Sequence, residues 1–442
     1  MAERTGDVAG GRALTHRRVL SIALPIVLSN ATVPLLGAVD TGVVGQMGDA
    51  ASIGAVGIGA VILTSIYWVF GFLRMGTSGL VAQSYGARDT AETGAHLMRA
   101  LVIAFVAGLV FILLQRPLFD GAFRLAPASD EVEGLARQYL SIRIWGAPAA
   151  IALYAITGWL IALERARHVL VLQLLMNGLN VVLDLWFVLG LGWGVEGVAI
   201  ATLIAEWSGL ALGLLFARDA IRAGGHCSGL FAADKLHRLL QVNGDIMVRS
   251  VLLQASFTTF MFMAAGQGDV TLAANQVLLQ FLSVVAFALD GFAFAAESLV
   301  GQAVGARRPD HLRRAATLTS QWGVGGAVAL ALVFALGGPA IIDLLTTSPE
   351  VRSVAREYLP WLIAAPVVGV AAWMLDGIFI GATRTREMRR AMILSVAIYV
   401  PVLIVLPQQF GNHGLWAALT VLSLLRGLTL WRLYPRVEAA AA

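Results

Sequence analysis

Apolar residues in this chain gather into long runs, with polar residues confined to the gaps between them. Runs of bilayer-crossing length fall near 19–43, 53–73, 97–115, 141–163, 169–190, 197–217, 244–265, 272–298, 317–338, 359–381, 391–407 and 414–431. Each predicts an α-helix, because the runs are far longer than a barrel strand and show no two-residue alternation. The expected fold class is therefore an all-α polytopic membrane protein of 12 transmembrane helices.

The pattern also repeats. "GLVAQSYGAR" (79–88) recurs as "SLVGQAVGAR" (298–307), "ARQYL" (136–140) as "AREYL" (355–359), and "TGWLIALERAR" (157–167) as "DGIFIGATRTR" (376–386), all at an offset of 219. Matches at one offset predict a duplication of a six-helix unit. Six is even, so both copies enter the membrane in the same orientation and are expected as two six-helix lobes related by a pseudo-two-fold along the membrane normal. The expected boundaries are an N-lobe over 1–217, a linker over 218–243 and a C-lobe over 244–442. The "KLHRLL" end of the linker has the pattern of a short amphipathic surface helix.

Some polar residues break into the apolar runs. In the fifth run, "NGLNVVLDLWFVLG" (177–190), Asn177, Asn180 and Asp184 recur at i, i+3 and i+7 and so share one face. A charged group at mid-bilayer costs at least about 2.5–3.5 kcal/mol, so this stripe should face a bundle interior or a water-filled cavity. The first run carries Asn30 and Asp40 together with Pro25 and Pro34, which predict a kinked helix able to bend. The sixth adds Thr202 and Glu206 at i, i+4. The second copy is different: Thr259 and Leu403 stand where the offset would place Asp40 and Asp184, and its own acids are Asp290, Glu297 and Asp376. Arg74, Arg143, Arg249 and Arg426 also fall in or beside runs, and ion pairs with them would explain Asp290, Glu297 and Asp376 as well as function would. Glu206 stands near a helix end, from which it could snorkel. Asn177 reads more readily as a helix-packing amide than as a ligand. Trp145, Trp193, Trp361 and Trp416 read as an interfacial belt.

The composition agrees, with 58% apolar and 13% charged residues against roughly 45–50% and 25% in soluble domains. A net charge of +4 is topological and asks for no nucleic-acid partner. Assigning loops alternately from a cytoplasmic N-terminus places 22 Lys and Arg inside and 5 outside, which predicts both termini in the cytoplasm of an inner (plasma) membrane protein. No cleavable signal is apparent, and the single Cys227 excludes an intrachain disulfide. The histidines show no metal-ligand spacing. Buried carboxylates suit a coupled transporter: burial favours the neutral acid, so such a group can load and release a proton, or stay ionised and hold Na⁺ or a cationic substrate. No cofactor is expected beyond a coupling ion, H⁺ or Na⁺. An intramembrane enzyme is disfavoured, since neither HExxH nor GxSxG occurs and a single NxxxD stands without a companion DxxxD. Duplicated, chemically unequal lobes suit alternating access better than a channel.

"FLRMGTSGLVAQSYGA" (72–87), "ALDGFAFAAESLVGQA" (288–303) and "DGIFIGATRTR" (376–386) together resemble the multidrug and toxic compound extrusion (MATE) transporters, and within them the DNA-damage-inducible protein F (DinF) branch. The resemblance covers essentially the whole chain. It implies an efflux antiporter, acting as a monomer in the bilayer, that exports amphipathic, often cationic organic compounds by a rocker-switch of two lobes. It also implies an N-lobe cation site of Asp40, Asn180, Asp184 and Thr202, where Na⁺ could also sit, with Pro25 as the bending proline of helix one. The segment "DIMVRSVLLQASF" (245–257) offers Arg249 and Gln254 where other branches have an acid, which favours proton coupling through the N-lobe; the acid of helix ten survives as Asp376. A flippase for lipid-linked or polysaccharide substrates is the alternative, and would be expected to carry a cationic cavity.

Overall fold

The computed structural model describes residues 13–46, 49–125, 128–225 and 229–441, and for 34–38, 40 and 41 the backbone alone. Cys227 and the Asp40 side chain lie outside the described residues. Among those described, every long element is an α-helix and no strand occurs. The long helices are α1 His16–Gly45, α2 Ala50–Gly86, α3 Thr90–Leu113, α4 Asp130–Ala162, α5 Ala166–Gly190, α6 Gly194–Gly225, α7 Ala233–Ala265, α8 Asp269–Gly305, α9 Pro309–Leu345 and α10 Pro349–Gly381, with a short helix Gln115–Leu125 between α3 and α4. The final stretch Thr385–Glu438 is broken at Gly411, whose φ of 56° and ψ of −133° belong to glycine. It therefore holds two helices, α11 (385–410) and α12 (412–438). The twelve predicted runs are all present as helices.

Local chemistry sets several boundaries. Asp49 caps α2: its carboxylate accepts from the Ser52 hydroxyl at 2.6 Å and from the amides of Ala51 and Ser52, and these bonds hold its pKa below the usual carboxylate range. The linker is shorter than expected. α6 runs on to Gly225 and α7 begins at Ala233, so "KLHRLL" forms the opening turns of α7 and not a separate surface helix. Nothing between Leu240 and Asp245 breaks the helix, and Leu239, Val242 and Asn243 bury one continuous face.

The chain divides into two compact units. One contains α2 up to Val81, α3 to α6 and the part of α1 from Leu28 onward. In it α3 packs on α4 and α6, α5 on α6, and α2 on α4. The other contains α7 from Arg238 onward, α8 to α12, the part of α1 up to Val27, and Ala82–Arg88 at the end of α2. Here α8 packs along α10, with α9 against both and the 385–438 pair against α10.

The duplication is visible in backbone and packing. Among the described residues, the non-glycine positions with left-handed φ are Arg88 (62°), Glu164 (58°), Arg307 (52°) and Thr383 (50°), which form two pairs at the repeat offset. In the first unit a Cβ on Gly158 of α4 would collide with the Arg74 carbonyl of α2. In the second, Gly377 of α10 stands in the same relation to the Ala293 carbonyl of α8. Each lobe thus crosses its second and fourth helices backbone to backbone at a glycine, the close approach that lets helices associate within lipid.

Candidate functional site

α5 presents its polar stripe to the interior of the first unit: Asn177 is 8% exposed, Asn180 1% and Asp184 0%. The stripe is amphipathic in reverse, with Leu174, Leu175, Val182 and Leu185 exposed on other faces. Immediately after Asp184 the helix widens into a π-turn over Leu185–Gly190. Such turns are frequent at functional sites.

Each stripe residue meets different chemistry. Asn180 donates from Nδ2 to Thr202 Oγ1 of α6 at 3.2 Å, and Thr202 donates its own proton to the Val198 carbonyl at 3.0 Å. The buried Asn180 Oδ1 accepts no hydrogen bond among the described residues. Asn177 donates to Thr32 Oγ1 of α1 at 2.8 Å and accepts from Gln173 at 2.9 Å, so both ends of its amide are engaged in a packing contact. The Thr32–Asn177 bond fixes α1 beside α5. Asp40 stands eight residues beyond Thr32, and Asp184 seven beyond Asn177.

The remaining candidates fall into ion pairs or elsewhere in the fold. Glu206 does not snorkel. It takes a bidentate fork from Arg143, with Nη1–Oε2 and Nη2–Oε1 both 2.8 Å, and both side chains are largely buried. Asp376 receives both Arg249 and Arg426 on the same oxygen, Oδ2, the latter at 2.6 Å. Glu297 is 1% exposed on α8 and Asp290 is half-buried one helical stretch before it. Pro25 lies in α1 two residues before the division between units after Val27.

Two features carry little signal in the sequence. Asn275 of α8 and Asn412 of α12 exchange amide bonds of 2.7 and 3.0 Å, and Trp416 donates to Asn275 Oδ1 at 2.9 Å. Trp416 is 3% exposed and belongs to this buried cluster and not to an interfacial belt, whereas Trp145 and Trp193 are exposed as expected. The second feature is the pairing of intramembrane arginines. The positions of Arg143, Arg249 and Arg426 are visible in the sequence, but the partner of each lies 50 to 127 residues away and no periodicity connects them.

The arrangement can hold a small cation: a fully buried carboxylate, an amide oxygen with spare acceptor capacity and a hydroxyl come from two adjacent helices. Comparison with known proteins gives a consistent result. The MatE family pattern matches residues 25–186 and 246–405, one match in each repeat. DNA damage-inducible protein F of Escherichia coli (strain K12) is 42% identical over 432 residues, covering 95% of this chain and 92% of that protein. Protein DETOXIFICATION 44, chloroplastic, of Arabidopsis thaliana is 25% identical over 441 residues, covering 95% and 82%. Among solved structures, the outward-facing conformation of a multidrug resistance MATE family transporter of the MOP superfamily superposes with a TM-score of 0.86 at 20% identity, covering 96% of each chain.

Proposed function

The chain belongs to the MatE family of multi-pass membrane transporters, and on that footing we propose that it is a cation-coupled antiporter, driven by H⁺, that exports amphipathic and often cationic organic compounds. It is a transporter and not an enzyme. The observation that carries the coupling proposal is the fully buried Asp184 beside Asn180, whose Nδ2 is tied to Thr202.

Three facts support this reading. Asp184 lies on a helix whose neighbouring amides are already oriented, so the cation meets preformed oxygens. Asn180 Oδ1 has acceptor capacity to spare, and would take the O–H of a protonated Asp184 or a bond to Na⁺. The Thr32–Asn177 bond supports a place for Asp40 near the level of Asp184, since the two acids stand eight and seven residues beyond the bonded pair. A carboxylate that is protonated with one partner and ionised with the other cannot serve both at once. Exchange follows from that exclusion. Pro25 supplies a bending point in α1, and its place two residues before the division at Val27 is the support for that role. Alternating access would then move the N-lobe against the C-lobe, with both termini in the cytoplasm.

The test is efflux of a fluorescent organic cation from proteoliposomes under an imposed proton or Na⁺ gradient, with Asp40→Asn and Asp184→Asn alongside. Proton-driven efflux lost in both variants is the expected result. Transport driven by Na⁺ alone would replace the coupling ion. Absence of gradient-driven transport for every cation tried would overturn the reading and bring lipid-linked substrates forward.

A further inference from the structure

The second unit contains a buried charge imbalance that the antiporter reading does not use. Arg249 of α7, Asp376 of α10 and Arg426 of α12 are 7%, 8% and 7% exposed. Both guanidinium groups converge on Asp376 Oδ2. Neither arginine has another carboxylate within ion-pair distance among the described residues, so two cations share one anion. Arginine does not relieve this by losing a proton, because the guanidinium stays charged at any pH the protein meets. Asp245, one turn before Arg249 on α7, offers no remedy: it is matched by Arg389 at 2.5 Å and by the Thr385 hydroxyl at 3.1 Å. The buried triad of Arg249, Asp376 and Arg426 therefore carries one net positive charge, and the neighbouring Asp245–Arg389 pair adds none.

A buried charge without a counter-charge is strongly disfavoured in a low-dielectric interior. The same place has an unsatisfied donor and a void. Arg249 Nε is buried and has no acceptor among the described residues. A small cavity, with about 10 Å³ of space open to a water-sized sphere, is lined by Arg249, Asp376 and Arg426 together with Met388, Met392 and Leu430. Its enclosed part has room for a single small species, which is smaller than an organic substrate requires.

We propose that this C-lobe triad is a binding site for a compact monovalent anion, of halide size, held between Arg249 and Arg426 opposite Asp376. The ion completes the charge of the lobe and takes the free Nε–H of Arg249. The repeat adds a second argument. At the offset positions the first unit has Asn30, Thr157 and Trp207, so the triad is no relic of the common scaffold.

The test uses the full-length protein purified in detergent, titrated with NaCl or NaBr against sodium gluconate at constant ionic strength, with thermal unfolding as the readout. Chloride and bromide should raise Tm saturably, by on the order of 3 °C near a hundredfold excess over Kd, while gluconate does not. Arg249→Gln leaves a neutral Arg426–Asp376 pair and should abolish the shift. Should that variant fail to fold, crystals of the unsubstituted protein grown in bromide decide the matter through an anomalous peak between the two guanidinium groups. The proposal is overturned by a non-saturable halide response, by a shift that survives Arg249→Gln, by a bromide crystal with no such peak, or by acetate raising Tm where halides do not.

Discussion

Asn177 and Asn180 stand one helical turn apart on α5, but their surroundings separate structure from coupling. Asn177 has both ends of its amide engaged, by Thr32 and Gln173. Asn177→Ala should therefore lower stability by about 0.6–1.7 kcal/mol, the range measured for interhelical hydrogen bonds in membranes, and leave the ion-to-substrate ratio intact. Asn180→Ala should cost a similar amount through loss of its bond to Thr202 and, unlike Asn177→Ala, abolish gradient-driven efflux. Thermal unfolding and proteoliposome transport on the same preparations distinguish the two, and a coupling defect in Asn177→Ala would contradict the assignment. The Arg143–Glu206 fork calls for a different experiment. Removing one partner strands a charge that is about nine-tenths buried, so Arg143→Met alone should cost about 3–5 kcal/mol. Adding Glu206→Leu should recover most of that loss, since a buried pair is often replaced by apolar residues at little cost. The stripe of α5 is legible in the amino-acid order alone, because residues at i, i+3 and i+7 of a helix must share a face. The partners of the arginines are not. Glu206 and Asp376 look alike in sequence, and only the three-dimensional crossing of α4 with α6, and of α7 and α12 with α10, tells which cation each receives.

At the scale of elements, glycines record where backbones touch or turn. Gly158 and Gly377 hold equivalent crossings in the two units, each against a carbonyl of the partner helix. Gly158→Ala and Gly377→Ala should each destabilise by about 1–3 kcal/mol through overpacking, with nearly equal effects because the crossings are repeats of one another. Gly178, where an added Cβ would have nothing within 4 Å, provides the control that tolerates alanine. Gly411 tests a separate cause. The nearest atom to a Cβ there is Gln267 Oε1 at 4.0 Å, so space is available and only the backbone objects. Gly411→Ala should still cost about 1–3 kcal/mol, read as a lower midpoint in thermal unfolding. The helices themselves are legible in the sequence because lipid demands long apolar runs. Their ends are less so: α6 and α7 continue past the apolar stretch into polar sequence, where hydropathy gives no signal but helix geometry persists. The break at Gly411 lies in a gap between two runs, and there the apolar pattern and the backbone agree.

Across the whole molecule, two copies of one scaffold carry unequal chemistry. Turns, glycine crossings and helix order repeat at a single offset, whereas Asp184, the Arg143–Glu206 fork and the Arg249–Asp376–Arg426 triad each occur in one unit alone. The duplication therefore supplies geometry, and later divergence supplies charge. Orientation follows from the charge that divergence left in the loops. With 22 Lys and Arg assigned to one side and 5 to the other, the electrostatic preference acts on nearly every connection, so the gaps carrying 218–232 and both termini are expected on the same, cytoplasmic side. The sequence contains one cysteine, Cys227, in that same connection, so the unmodified protein reports its own topology. A membrane-impermeant maleimide should label Cys227 in inverted vesicles and leave it unlabelled in intact spheroplasts until the membrane is opened. Labelling from outside would place the Arg-rich loops on the wrong face, and since twelve helices return both termini to one side, it would invert the whole molecule and with it the direction of the proposed export.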